Sequence, residues 1–410
     1  MKNFTNTLKR LDKPLTFYSY LGSHSFLIGL LPFYLPVFLW GHGFQLADIA
    51  LLIAATGCGF SLSLKQWQTV AKTQSLRSIL YFTFVVELFL VSTLLMWPGF
   101  AEGGYLGIDT PASIGAIGIG IVSGVYNAWF WTTQRTLFLD MTQNTNTGRQ
   151  YGNFQIFVTV FLKVGILIGG LLLDSTYGHW ALLALTIIVC AGMCYWYQGA
   201  LCDERLIINQ ESNVSLASSF NYRDACRSFP VFILDGIFLF LESHFWLLSL
   251  FLVVQEDFSS LGLIVVALAL FFAITFWLLK NTIDAFTGNS VYIVATGLYA
   301  LSWLFRSYID ADLGRNALLI SLMLITFCSS FFRLAFNKRF FDLARTHEGT
   351  QYLLIKSYIS QFVLAVSYGV LALILFSRNG TGESSFTAVY LLAAVLSLGY
   401  ALYRQPPAPT

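Results

Sequence analysis

Five charged residues interrupt stretches of the sequence that are otherwise apolar: Glu87, Lys163, Asp235, Glu242 and Arg333. A charge in hydrocarbon costs roughly 2.5–3.5 kcal/mol on membrane-insertion scales, so each residue calls for a partner, a ligand or a titration. Glu242 lies about twelve residues into its apolar stretch, ~18 Å along a helix, and Asp235 falls seven residues earlier on nearly the same face. Burial and a neighbouring cation act in opposite directions on a carboxyl group, which lets such a site exchange a proton for substrate. Glu242 is therefore the first candidate for proton coupling, with Asp235 and Glu87 behind it. The alternative for Glu242 is a structural ion pair with Arg333 or Lys163.

The cations come with polar company. Gln155, Thr159 and Lys163 repeat at four-residue spacing, a stripe down one helix face that offers a positive group to an anionic substrate. The competing reading pairs Lys163 with Glu87. Thr326, Ser329, Arg333 and Asn337 form a second stripe, in which the planar guanidinium suits a carboxylate unless it snorkels to the membrane surface. Tyr126, Asn127, Trp129, Phe130 and Trp131 cluster in one segment, and aromatic walls with a few hydrogen-bonding groups suit an amphipathic organic ligand. These residues define the expected substrate site: Lys163, Arg333, Thr159, Gln155, Asn127, Tyr126, Trp129, Trp131 and Ser329.

The elements that must position these groups follow from composition. The chain has 410 residues, 56% hydrophobic and 11% charged, with a mean hydropathy of +0.68. A soluble domain carries about 25% charged residues, so an ordinary soluble enzyme is excluded. The net charge of +2 gives no reason to expect nucleic acid. The six cysteines show no C-x-x-C spacing, and no P-loop or Gly-x-Gly-x-x-Gly occurs, so no disulfide, metal or cofactor is expected.

A bilayer-spanning helix needs about 20 mainly apolar residues, and polar or Gly/Pro-rich breaks divide the chain into about twelve such segments. They cover 15–40, 45–64, 78–98, 112–134, 152–173, 180–199, 230–253, 261–279, 290–308, 317–336, 353–376 and 386–403. Positive residues stay on the cytoplasmic side, and with both termini inside, only Arg306, Arg315 and Arg378 of the 23 Lys and Arg fall outside, Lys163 being in mid-segment. Arg135, Lys356 and Arg339 count among the cytoplasmic set, as do Lys2, Lys9, Arg10 and Arg205. The first segment is read as a retained helix, since its apolar run outlasts a signal-peptide core. Its Tyr18, Gly22, Ser25, Gly29, Pro32 and Pro36 make an interior stripe, with the two prolines as hinges.

The polar stretch from Leu201 to Ser228 separates two six-segment halves, 1–200 and 229–410. A repeat supports this division: Leu21-Gly-Ser-His-Ser-Phe-Leu27 resembles Leu241-Glu-Ser-His-Phe-Trp-Leu247, which puts His24 and His244 in matching positions. Both histidines are expected in structural hydrogen bonds.

Two parallel six-helix halves joined by a long central loop resemble the major facilitator superfamily of secondary transporters. Gly43-Phe-Gln-Leu-Ala-Asp-Ile-Ala50 is similar to the turn that enters the family's second helix. Gly115, Gly118, Gly120 and Gly124 are similar to its small-residue fourth helix, and Gly165-x-x-x-Gly169-Gly170 to its antiporter motif without the proline. The family's Gly-x-x-x-Asp-Arg-x-Gly-Arg loop is missing, and Leu64 to Arg77 stands in its place. The N-terminal run LKRLDKPLTFYSYLGSHSFLIGLLPFYLPVF also resembles the small transporters encoded beside hydroxamate–citrate siderophore synthesis, the aerobactin-type systems.

The resemblance implies an all-α membrane protein of about twelve helices in two six-helix bundles, with helices 1, 4, 7 and 10 around a central cavity. It implies proton-coupled alternating access, most simply export of a polar or anionic small molecule such as a hydroxamate–citrate siderophore, by a monomer in a bacterial inner membrane. The substrate, protons and the lipid bilayer are its expected partners. The alternatives are an importer of a small metabolite, a non-transporting sensor, and a lipid-acting membrane enzyme. The last would need clustered carboxylates or histidines, whereas the loop acids Asp140, Asp174, Asp224, Asp284 and Asp342 are dispersed.

Overall fold

The computed structural model describes residues 13–101, 111–141, 147–200, 214–254, 257–285, 289–309, 313–378 and 384–404. Among these residues twelve long helical segments follow one another. They are α1 (Lys13–Leu30, resumed as Leu35–Gly41), α2 (Leu46–Thr73), α3 (Leu76–Ala101), α4 (Ala112–Met141), α5 (Thr147–Leu173) and α6 (Gly178–Ala200). After them come α7 (Ser228–Phe238, resumed as Trp246–Val253), α8 (Phe258–Ala285), α9 (Asn289–Ser307), α10 (Arg315–Thr346), α11 (Gly349–Arg378) and α12 (Ser384–Ser397). No strand occurs among the described residues. Among the described residues nine helices are long and apolar enough to cross a membrane, or ten with the bent pair of α1.

The apolar segments of the sequence match these helices one for one, but several helices run further. α2 continues to Thr73 and α10 to Thr346, where the apolar runs stop near 64 and 336. The reason is that a helix does not end where hydrocarbon does: its backbone bonds persist in water while its side chains turn polar. The expected loop from Leu64 to Arg77 is accordingly helical up to Thr73, and only Gln74 and Ser75 separate α2 from α3. Of the central polar stretch, 201–213 lies outside the described residues, as do Lys2, Lys9, Arg10, Cys202 and Arg205. The described remainder holds a short helix, Leu216–Phe220.

Of the two expected hinge prolines, Pro32 marks the bend and Pro36 sits in the first turn of the resumed helix. α1 bends by 47° at the break after Leu30, where Pro32 begins a 3-10 turn, because its ring displaces the preceding carbonyl and it lacks an N–H. At the next turn Gly43 takes φ +82°, and the Asp48 carboxylate accepts from the Gln45 N–H at 2.9 Å, capping α2.

Close crossings fix the helix order. A Cβ on Gly124 would lie 2.2 Å from the Thr56 carbonyl oxygen and one on Gly120 2.5 Å from that of Leu52, so α4 rides directly on the α2 backbone. Gly118 meets nothing within 4 Å and is not a packing glycine. The first and last six helices touch at both ends. The Phe138 and Phe341 rings meet at 4.6 Å, tilted by 53°, and Arg345 donates to the Thr147 hydroxyl where α4, α5 and α10 approach. Tyr34 meets the Phe258 ring at 6.0 Å at the opposite end. Near the end of α2, Gln68 donates to the Tyr358 hydroxyl of α11 at 3.0 Å and to the Val214 carbonyl at 3.1 Å.

Candidate functional site

The second half of the sequence repeat is where α7 departs from an α-helix. Leu241–Phe245 forms a wide π-helical turn, in which the Trp246 N–H reaches back to the Leu241 carbonyl. The added residue re-aims the side chains of that turn. Glu242 thereby faces α9 and α10 together: Arg306 donates to its Oε1 at 3.1 Å and Arg333 to its Oε2. Of the two cations considered as partners for Glu242, Arg333 makes the contact and Lys163 does not, and Arg333 does not snorkel away from it.

Charge arithmetic places Arg306 among the outer charges, and the structure adds that it is turned into the bundle. Its side chain is 3% exposed, donating to Ser302 at 3.1 Å and Ser329 at 3.0 Å, with the guanidinium 4.2 Å from the Trp303 ring centre and 5.2 Å from that of Trp246. Ser329, expected to meet substrate, is thus 9% exposed and committed to Arg306. Arg333 differs: its side chain is 46% exposed. The group therefore has one sealed guanidinium, one open guanidinium and a single carboxylate between them.

Lys163 lies across from this group on α5. Its ammonium sits 5.4 Å from the Phe33 ring centre, at the break in α1, and no carboxylate pairs with it among the described residues. Arg333 is near enough for the two charges to act on each other. The proposed pair with Glu87 does not form. Further along α5, Gln155 donates to the Tyr151 hydroxyl at 2.6 Å, and Tyr151 lies within electrostatic reach of both Arg333 and Arg135. Thr159, midway between Gln155 and Lys163 in sequence, is 8% exposed.

On α4 the chain Ser123–Asn127–Trp131–Arg135 runs down one face. Asn127 donates to Ser123 at 3.2 Å, Trp131 donates to Asn127 at 2.9 Å, and the Arg135 guanidinium lies 6.0 Å from the Trp131 ring centre. Asp235 on α7 is taken by Lys356 of α11 at 2.6 Å and by Ser360 at 3.3 Å. Lys356, counted with the cytoplasmic charges, is 4% exposed, and Arg339 from the same set is 5% exposed over the Tyr292 ring.

The remaining candidates turn inward within the first six helices. His24 Nδ1 meets Glu87 Oε2 at 2.5 Å with both side chains fully buried. Tyr126 donates to Glu87 Oε1 at 2.9 Å, and the His24 ring stacks on Phe84 at 4.1 Å. Trp129 is 3% exposed, bonded to Ser63 at 3.3 Å and packed on Phe82 at 4.1 Å. The aromatic cluster of α4 therefore splits: Asn127 and Trp131 join the cation face, whereas Tyr126 and Trp129 pack elsewhere. Two residues apart on a helix is about 200°, so Trp129 and Trp131 could not share a face. The site residues that sequence reasoning missed are Arg306, Arg135, Tyr151 and Lys356. Ser302 and Ser360, each four residues from a cation, were the available signals. Among the described residues no group of three or more His, Cys, Asp or Glu could hold a metal ion.

No family model matches the sequence, and no curated protein matches it either. Solved structures do resemble the chain. The nucleoside transporter NupG, in a point-mutant form, is similar over 95% of this chain and 99% of its own at 13% identity, with a TM-score of 0.65. A bacterial homologue of the iron transporter ferroportin, in an outward-facing state, is similar over 95% and 98% at 13% identity and TM-score 0.65. FucP, a major facilitator superfamily transporter in the outward conformation, is similar over 95% and 99% at 13% identity and TM-score 0.59. The chain thus has the major facilitator fold over nearly its whole length.

Proposed function

We propose that this protein is a proton-coupled secondary transporter of an anionic small molecule, working by alternating access between helices 1–6 and 7–12, in a bacterial inner membrane with both termini inside. The observation that carries the reading is the pair Lys163 and Arg333. They come from opposite halves, one has no counter-ion among the described residues, and the other is half exposed. An uncompensated cation in a membrane interior is costly, and a ligand anion removes that cost. Aromatic contacts at both ends support an occluded form from which either side opens.

Glu242 is the coupling group in this reading. Arg333 holds either Glu242 or the ligand's anion, and protonating Glu242 releases Arg333 to the ligand. Asp235, held by Lys356, and Glu87, held by His24, serve as the secondary candidates.

Export of a hydroxamate–citrate siderophore is the specific substrate reading, and it rests on the N-terminal resemblance together with carboxylates that would suit these cations. The Glu242–Arg333 contact favours a second reading of direction, because a proton and an anion that bind together are carried together. Secreted and intracellular siderophore in a deletion strain tests the first reading, and unchanged secretion removes it. Anion uptake into proteoliposomes under an imposed pH gradient tests the second. Symport predicts accumulation on the alkaline side, and accumulation on the acidic side establishes antiport. A cysteine at Ser212 that reacts with an impermeant reagent from outside would overturn the orientation.

A further inference from the structure

The cations facing the two halves occupy two levels. Glu242 follows Asp235 by seven residues on α7, so the two lie about 10 Å apart along the helix. The inner level holds Glu242, Arg306, Arg333 and Lys163. The other holds Asp235 and Lys356, with Arg135 close enough to interact with both. Within each level the compensation is incomplete. Two guanidiniums share one carboxylate around Glu242, and Lys163 has none. Asp235 is neutralised by Lys356 at 2.6 Å, which leaves Arg135 over. Arg135 makes no hydrogen bond or ion pair among the described residues, the Asp235 carboxylate in its reach being held by Lys356, and its ring contact is Trp131. Tyr151 lies within electrostatic reach of Arg333 on one level and Arg135 on the other.

One carboxylate satisfies one level and leaves the other charged. We propose that the substrate carries at least two anionic groups on one flexible or elongated frame, one taken by Lys163 and Arg333 and the other by Arg135. Arg135 is then the residue that distinguishes a polyanion from a monoanion. The stripe Ser123–Asn127–Trp131 beside it supplies an aromatic edge, one amide and a hydroxyl for the linker between the anions. This inference rests on the anion-transport reading above and adds the number and spacing of the charges.

The test uses the full-length purified protein in detergent and three simple probes. Suberate carries a carboxylate at each end of a chain long enough to bridge the levels, glutarate is too short to bridge them, and octanoate matches suberate in length with one charge. Affinities come from tryptophan fluorescence, with thermal unfolding as a check on folding. Linking two weak contacts in one molecule raises affinity by about tenfold or more when the spacing fits, so the wild type should prefer suberate to octanoate and to glutarate by that factor. In Arg135→Gln the suberate-to-octanoate ratio should fall to near one, and in Arg135→Lys most of the preference should remain, since the charge is kept. Lys163→Met should weaken all three probes. Equal binding of suberate and octanoate by the wild type, or an unchanged ratio in folded Arg135→Gln, overturns the two-level site. Probe binding that ignores both Lys163→Met and Arg333→Gln overturns the anion-transport reading itself.

Discussion

Each half of the molecule joins its first helix to its third through a buried acid and base, and the two pairs place acid and base in opposite order. In the first half α1 supplies the base and α3 the acid, His24 and Glu87, with neither side chain exposed. In the second half α7 supplies the acid and α9 the base, Glu242 and Arg306, at 17% and 3% exposure. The decisive difference is a third partner. Tyr126 closes the first pair with a neutral hydroxyl, whereas Arg333 opens the second with a charge that faces the other half. A pair sealed by a phenol serves packing. A pair extended to an exposed guanidinium can trade partners with a ligand.

Removing each acid separates the two pairs most widely. Glu242→Leu strands Arg306, which cannot shed its proton, and losing one member of a buried pair costs about 3–5 kcal/mol. Glu87→Leu leaves an imidazole that is stable when neutral, so the loss reflects hydrogen bonds alone, about 1–3 kcal/mol. Thermal unfolding of the purified proteins should rank Glu242→Leu well below Glu87→Leu, and equal midpoints would make the two pairs equivalent.

Substitutions at the open partner act on transport rather than folding. Arg333→Gln and Lys163→Met should each lower the initial rate of anion uptake by about tenfold or more, as loss of one charge-assisted contact implies. Lys in place of Arg333 should recover little, because an ammonium cannot serve Glu242 and a carboxylate ligand with a planar fork. A rate unaffected by Lys163→Met would return that residue to a structural role. The smallest effect belongs to the sealed pair: Tyr126→Phe removes one hydrogen bond, worth about 1 kcal/mol, and should lower the unfolding midpoint slightly with no change in substrate affinity.

The contrast between the halves also marks what is legible in the sequence. Apolar length locates all twelve helices, and Pro32 locates the bend in α1, because both effects are local along the chain. Glu242 stands out for the same reason, as a charge in an apolar run. Its partner Arg306 does not, since counting positive charge by side treats every cation near a segment end as a surface group, and nothing local tells a snorkelling arginine from one turned into the bundle. For Lys356 and Arg135 the same arithmetic gives a side of the membrane and says nothing of burial or partners. The partner of Glu87 is a question of which helix lies beside α3, and the packing glycines of α2, α4 and α5 answer it only once the crossings are known. The repeat aligns His24 with His244, yet the π-turn at Leu241–Phe245 gives the two residues different surroundings: a carboxylate for His24 and the Ser243 hydroxyl, at 3.1 Å, for His244.

The exchange of partners at Arg333 is measured most directly as proton movement in proteoliposomes holding an internal pH dye. Adding suberate outside to wild-type vesicles should acidify the interior, and Glu242→Gln, with Arg333 already free of its carboxylate, should move the anion without the proton. Equal acidification by Glu242→Gln and the wild type would contradict the account and transfer coupling to Asp235 or Glu87.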